Sequence, residues 1–246
     1  MKRLEMLGAL LLMTLFASGA LFAQTGNDIL KRIDNKLWPT DYEAYRYLVD
    51  QYPDGSKKEY TVYTVKKGED KVAMAFLAPA SEAGRSLLRV GENWWMYLPN
   101  VGRPIRITSL QSVTGSIFNN SDIMQVDYAD EYNVAGVQTT DSGYLLDLKA
   151  KDSSVAYDSL KMWATKDDIV TKIECYAASG MLIKTLDFLQ IKDFGSGIVR
   201  PSVIQTTSPF YKGYVSFMIF ISMKPRRLPD EVFTQSYMPR IEALQQ

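Results

Sequence analysis

The sequence predicts a mainly β protein built as an antiparallel meander. Three observations lead there. Beyond Pro39 the apolar pattern runs with period two, and Tyr, Val, Ile and Thr recur in short runs, which favours strands. The runs are punctuated by Gly-, Asp- and Ser-containing turns at hairpin spacing. No helical pattern separates one strand from the next, which argues against βαβ units and a parallel sheet.

Taken in chain order, the first element is a leader. Lys2 and Arg3 precede an almost wholly apolar stretch from Met6 to Phe22, with small residues at Ser18, Gly19, Ala20 and Ala23. That is the layout of a secretory signal peptide over residues 1–23, and the run is short for a comfortable membrane span. Residues 24–246 are then expected to form one exported, periplasmic domain. From Asn27 to Leu37 a short helix is expected, with Ile29, Leu30, Ile33 and Leu37 on one face and Asn27 placed to cap it. Trp38-Pro39 should end it, because proline disfavours helix in the residue before it.

The strands follow as hairpins. Tyr45–Tyr52 turns at Pro53-Asp54-Gly55 into Lys58–Lys66, and Gly68-Glu69-Asp70 leads into Lys71–Ala78. Asp141-Ser142-Gly143 joins Tyr132–Thr139 to Tyr144–Lys149, and Ala178-Ser179-Gly180 joins Val170–Tyr176 to Met181–Ile191. About ten to twelve strands are expected in all. Two are apolar on both faces: Val72 to Leu77, and Val215 to Met223. A sheet with one wet face would alternate apolar with polar, so both faces of these strands need cover, from a helix, a second sheet or an apolar ligand.

Composition narrows the chemistry. Lys plus Arg equals Asp plus Glu, 28 against 28, so no basic excess exists to neutralise nucleic acid. The pairs Lys57-Lys58 and Lys66-Lys67 read as solvated hairpin ends. With no histidine, a Ser-His-Asp or Cys-His arrangement cannot be built, and zinc is excluded in practice. There is no Gly-rich phosphate loop and no EF-hand spacing, so no cofactor or metal is expected. Cys175 is the single cysteine; it forms no intramolecular disulfide and reads as a small buried hydrophobe. One enzymatic alternative survives composition. Asp122, Asp127, Asp130 and Glu131 cluster, and Trp94-Trp95 offers a sugar platform, as a cell-wall glycosidase would need, although no spacing is diagnostic. A transmembrane β-barrel is a weaker structural alternative, since its strands should alternate apolar with polar lumen residues throughout.

Several segments together carry a family resemblance. Ala83-Gly84-Arg85-Ser86-Leu87-Leu88 precedes Asn93-Trp94-Trp95-Met96-Tyr97-Leu98-Pro99 and Arg103-Pro104-Ile105-Arg106-Ile107. Ser121-Asp122-Ile123, Lys172-Ile173-Glu174 and Gly180–Leu186 follow, and Leu228-Pro229-Asp230-Glu231-Val232-Phe233-Thr234 closes the series. In order and spacing these resemble the outer-membrane lipoprotein-sorting family related to LolA and LolB. Asn119-Asn120 departs from the glycine that family carries before Ser-Asp, so no role is carried over to Asp122.

The resemblance implies a curved antiparallel sheet, an incomplete, half-open β-barrel, around a short helical plug, with an apolar concave face for acyl chains. The expected function is a non-enzymatic periplasmic carrier. It would bind lipid or lipoprotein acyl chains for transfer towards the outer membrane, with an inner-membrane transporter and an outer-membrane acceptor as candidate partners. A sensor or adaptor of the same fold, binding a lipid or protein signal without transport, is the alternative. Met74, Phe76, Trp95, Tyr97, Ile105, Ile107, Met218 and Phe220 are the candidate cavity residues. Parity assigns one face per strand without saying which, so Trp94 with Met96, or Phe217 with Ile219, can replace their neighbours. The helix Asn27–Leu37 is the candidate moving part, with the Ser109–Tyr128 loop second.

Overall fold

The computed structural model describes residues 26–124 and 127–245; the expected signal peptide lies outside them. Helix α1 runs over 26–37, and its apolar face (Ile29, Leu30, Ile33, Leu37) is buried, as the 3.6-residue spacing demands. Asn27 does not cap it. Residue 26 is already helical, and the Asn27 side chain instead accepts from the Val134 N–H at 3.3 Å.

Thirteen strands follow. The first group is β1 (Tyr42–Gln51), β2 (Lys57–Lys67), β3 (Lys71–Ala78), β4 (Ser86–Val90), β5 (Asn93–Tyr97) and β6 (Pro104–Arg106). After α2 (Asn120–Ile123) and α3 (Tyr128–Glu131) come β7 (Tyr132–Thr140), β8 (Gly143–Ala150), β9 (Ser159–Thr165) and β10 (Val170–Tyr176). The last are β11 (Leu182–Asp193), β12 (Val199–Thr207) and β13 (Val215–Pro225). The count exceeds the expectation partly because the three-residue β6 is too short to show an alternation. Glycine is needed at the β7–β8 turn, where a Cβ on Gly143 would lie 2.0 Å from the Ala164 carbonyl oxygen.

All thirteen strands form one antiparallel sheet in the order β6-β5-β4-β3-β2-β1-β13-β12-β11-β10-β9-β8-β7. The chain starts at the centre, meanders out to the edge at β6, crosses through residues 107–131 to the far edge at β7, and meanders back until β13 pairs with β1. β6 and β7 do not pair with each other, so the sheet stays open. This is the half-open arrangement the resemblance implies, and it is not a transmembrane barrel, whose edges must be closed in lipid. Among the described residues no helix is long and apolar enough to cross a membrane.

The two faces of the sheet are covered differently. On the inner face α1 and the 107–131 segment pack Leu30, Ile33, Trp38, Phe118, Ile123 and Met124 against Met74, Phe76, Met218 and Phe220. On the outer face a C-terminal pair of 3-10 helices, Asp230–Phe233 and Gln235–Leu244, lays Val232, Phe233, Met238 and Ile241 over Tyr63, Val65, Ala73, Ala75 and Leu88. Strand β3 is therefore covered on both sides, which accounts for its doubly apolar sequence. Strand β13 is covered on one side only; its outer residues Phe217 and Ile219 line an open groove.

Candidate functional site

The inner face forms a chamber whose walls are the strands and whose filling is a plug made of α1 and residues 107–124 and 127–131. Six of the eight sequence-predicted residues lie on this face. Met74, Phe76, Met218 and Phe220 are fully buried together in the main core. Ile107 packs at its margin, and Ile105 sits opposite Met96 on the edge strand, half-buried. Trp95 and Tyr97 do not join them. They point to the outer face under the C-terminal 3-10 helices, while Trp94 and Met96 take the inner positions on β5. The physical reason is strand parity: successive side chains alternate, so choosing Trp95 excludes Trp94.

Sequence reasoning missed the polar fittings of this chamber. Five cationic side chains on the strands reach inward and bond main-chain carbonyls of the plug. Arg46 donates to Ile123 O at 2.8 Å, Arg89 to Met124 O at 3.3 Å, and Lys184 to Ile117 O at 2.6 Å. Arg200 donates to Leu37 O, and Lys66 lies 3.4 Å from Trp38 O and 3.5 Å from Pro39 O. Four of the receiving carbonyls (Leu37, Trp38, Ile123, Met124) sit at the C-terminal ends of α1 and α2. Those carbonyls have no partner inside the helix, and the helix dipole places partial negative charge there. The expectation that Lys66 is solvated is corrected by this arrangement: it is fully buried. Parity was the available signal, since Arg46 shares a face with Tyr42, Ala44 and Leu48.

Three of these cations also hold plug carboxylates. Lys184 pairs with Asp122 at 2.7 Å, Lys66 with Asp127 at 2.8 Å, and Arg89 with Glu131. The acids proposed for sugar hydrolysis are thus largely engaged in tying the plug down, and Trp94 and Trp95 lie on opposite faces. Asp34 of α1 links the two parts of the plug, accepting the Tyr128 and Ala129 N–H groups at 2.9 and 2.8 Å. Arg46 and Arg200 have hydrogen bonds but no ion pair among the described residues. Burial, chiefly, lowers their guanidinium pKa values to about 10 and about 9, and for Arg200 the charge of Arg46 lowers it further. Both remain charged at neutral pH.

The plug is bonded mostly to itself. Within the 107–124 segment Val113 N donates to Phe118 O, Asn120 N to Gln111 O and Ser121 N to Ser109 O. Among the described residues α1 shares no main-chain hydrogen bond with a strand.

Solved structures share this fold. A family model described as an uncharacterized protein matches residues 68–240. A crystal structure of a LolA superfamily protein from Nitrosomonas europaea is 27% identical, covers 88% of this chain and 99% of its own, and superimposes with a TM-score of 0.78. The chain belongs to the LolA-like family. Two further structures share the LolA-like fold. A DUF1329 family protein from Desulfovibrio piger is 22% identical over 88% of this chain and 99% of its own, with a TM-score of 0.76. A domain named for outer membrane lipoprotein sorting, from Vibrio parahaemolyticus, is 19% identical over 89% of this chain and 100% of its own, with a TM-score of 0.74. No curated protein matches the sequence.

The inner face is packed solid by the plug, and a large open groove lies elsewhere. A groove of about 1030 Å³ crosses the outer face from β3 to β11, with Tyr47, Val49, Leu189, Val203, Phe217 and Ile219 among its lining. It lies on the opposite side of the sheet from the plug.

Proposed function

We propose that this LolA-like chain is a periplasmic carrier that takes an acyl chain of a lipid or lipoprotein into the inner chamber when the plug moves aside. The observation that carries the reading is the way the plug is held. Its main chain bonds mostly to itself and to inward-reaching side chains of the wall, with main-chain bonds to the sheet near its two ends, Ile107 N to Trp94 O and Lys151 N to Glu131 O. It can leave by exchanging those side-chain bonds, without unzipping the sheet. What it uncovers is an apolar wall of Met74, Phe76, Met218 and Phe220. An acyl chain of roughly sixteen carbons gains on the order of 12 kcal/mol on full burial, at about 0.8 kcal/mol per CH₂, which offsets part of the burial that the plug's own apolar residues lose. The remaining cost favours release, which a carrier needs because cargo must leave again; an inner-membrane transporter and an outer-membrane acceptor would be its donor and recipient.

The test is native mass spectrometry, with lipid extraction, on the chain purified from a periplasmic fraction without detergent. Near-stoichiometric co-purifying lipid or acylated protein is the expected result. A clean apo mass in a protein that also takes up no fluorescent fatty acid would remove the carrier reading. A sensor or adaptor is the second reading, favoured by the open outer groove, which offers a contact surface without moving the plug. It would bind its ligand saturably and pass none to acceptor vesicles.

A further inference from the structure

Arg46 and Arg200 differ from the other three cations of the chamber: neither has a carboxylate partner among the described residues, even with the plug in place. Their side chains are 1% and 0% exposed. They converge on one ring. The Arg200 guanidinium carbon lies 4.0 Å from the Phe220 ring centre and that of Arg46 lies 5.5 Å away, with the Trp38 ring 6.0 Å from Phe220 on α1's end of the chamber. Three buried donors in this cluster have no protein acceptor: Arg46 Nε, Arg200 Nη2 and Trp38 Nε1. The sulfurs of Met218 and Met74 stand 3.0 and 3.3 Å from the Arg46 nitrogens, so the charge sits in the apolar wall itself.

Two like charges in an apolar chamber repel each other, and each needs oxygen acceptors to tolerate burial. At present the plug supplies part of that need through Ile123 O and Leu37 O. If cargo displaces the plug, those oxygens depart while both guanidiniums stay on the strands, β1 and β12. Whatever replaces the plug must bring its own oxygens to this point. A hydrocarbon tail cannot meet that demand, and a fatty alcohol brings a single neutral acceptor oxygen to two guanidiniums. A carboxylate or phosphate can, because its oxygens match the guanidinium fork and its charge cancels part of the excess.

Resting on the carrier reading, we infer that the chamber selects lipids with an anionic headgroup, a carboxylate or a phosphate, and seats that group inward at Arg46 and Arg200. The acyl chain then runs along Met74 and Phe76. This orientation hides the head and distinguishes the chamber from a plain hydrophobic slot.

The experiment titrates the delipidated full chain with oleate, oleyl phosphate, oleyl alcohol and inorganic phosphate, reading displacement of a fluorescent fatty acid. Oleate and oleyl phosphate should bind at least about tenfold more tightly than the alcohol, the effect of one charge-assisted hydrogen bond. Arg200→Met should bring that ratio close to one, whatever the lost bond to Leu37 O does to the affinity of all three lipids together, and Arg200→Lys should retain part of it. If Arg200→Met does not fold, the wild-type ratio and the Arg200→Lys variant decide. Equal affinities in the wild type, a ratio unchanged by Arg200→Met, or displacement by inorganic phosphate alone would overturn the inference. The outcomes separate the two claims. Tight binding of the alcohol and the acids alike leaves the carrier standing without an anion site, whereas no binding of any lipid removes both.

Discussion

Arg46 on the central strand β1 donates a 2.8 Å hydrogen bond to the main-chain carbonyl of Ile123 at the end of α2, joining the chamber wall to its plug. It is one of several such ties to this segment's carbonyls, beside Lys184 on Ile117 O, Arg89 on Met124 O and Tyr214 on Gly115 O. Replacing Arg46 by Leu deletes the bond and also removes an unpaired buried charge, whose loss can itself be stabilising. The expected outcome is a thermal midpoint changed by only a few degrees and a plug that opens about tenfold more often, the effect of one charge-assisted hydrogen bond.

Cys175 reports on that opening. It is the single cysteine in the chain, lies in the main core and is 1% exposed. Burial pushes its thiol well above the usual range, with the Asp122 charge adding to the shift. Native wild-type protein should therefore resist alkylation by iodoacetamide at neutral pH. Labelling should accelerate in Arg46→Leu, and equal rates in the two proteins would count against the latch.

Lys184 and Asp122 form the most buried of the plug's ion pairs, and Asp122 also accepts from Asn119 N and Tyr157 OH. Lys184→Met strands that carboxylate and should cost about 3–5 kcal/mol. Adding Asp122→Asn should recover more than half of the loss. Urea denaturation with an unchanged m-value is the measurement.

The two faces of the sheet should respond differently to truncation. Phe220→Ala is expected to lose about 3–5 kcal/mol and to alter oleate affinity, because it enlarges the chamber. Trp95→Ala should leave oleate affinity unchanged and instead speed hydrogen exchange over residues 230–244, the segment it supports. A change in lipid affinity at Trp95 would mean that the outer face takes part in binding.

Acid should release the C-terminal segment. Glu43 receives Lys224, Arg226 and Tyr63, and Arg226 also holds Leu244 O at 2.7 Å. Burial alone would raise the carboxyl, but the hydrogen bonds from Lys224, Tyr63 and Arg226 hold it below its ordinary 4.5. A lowered folded pKa contributes stability that is complete above the unfolded value and fades as pH falls through the folded one. Exchange protection at 230–244 should thus be flat near neutral pH and decline below about 4.5. Glu43→Gln should flatten the profile.

Much of this architecture was legible in the residues. The helix face of Ile29, Leu30, Ile33 and Leu37, the turns at Gly55, Gly68, Gly143 and Gly180, and the doubly apolar β3 each follow from a period or a backbone requirement, whereas β13, expected to be covered on both faces, leaves its outer one open. The choice of face was not legible. On β5 both Trp94 and Trp95 are sheltered, one by the plug and one by the C-terminal helices, so apolarity alone could not separate them. The buried cations escaped for a different reason. Lys66 reads as a solvated charge beside Lys67, and only the placement of Trp38 O, Pro39 O and Asp127 makes its burial tolerable. Those partners lie 28 and 27 residues upstream and 61 downstream, a juxtaposition that local pattern does not encode.

The central claim is that cargo enters behind the plug. The measurement that tests it most directly is hydrogen exchange on the delipidated chain with and without saturating oleate. The account predicts that oleate changes exchange in α1 and the 107–124 segment, with the outer residues of β11–β13 unaffected. Protection confined to Tyr47, Val203, Phe217 and Ile219 in the outer groove, with an unaltered plug, would contradict it and move the ligand to the other face of the sheet.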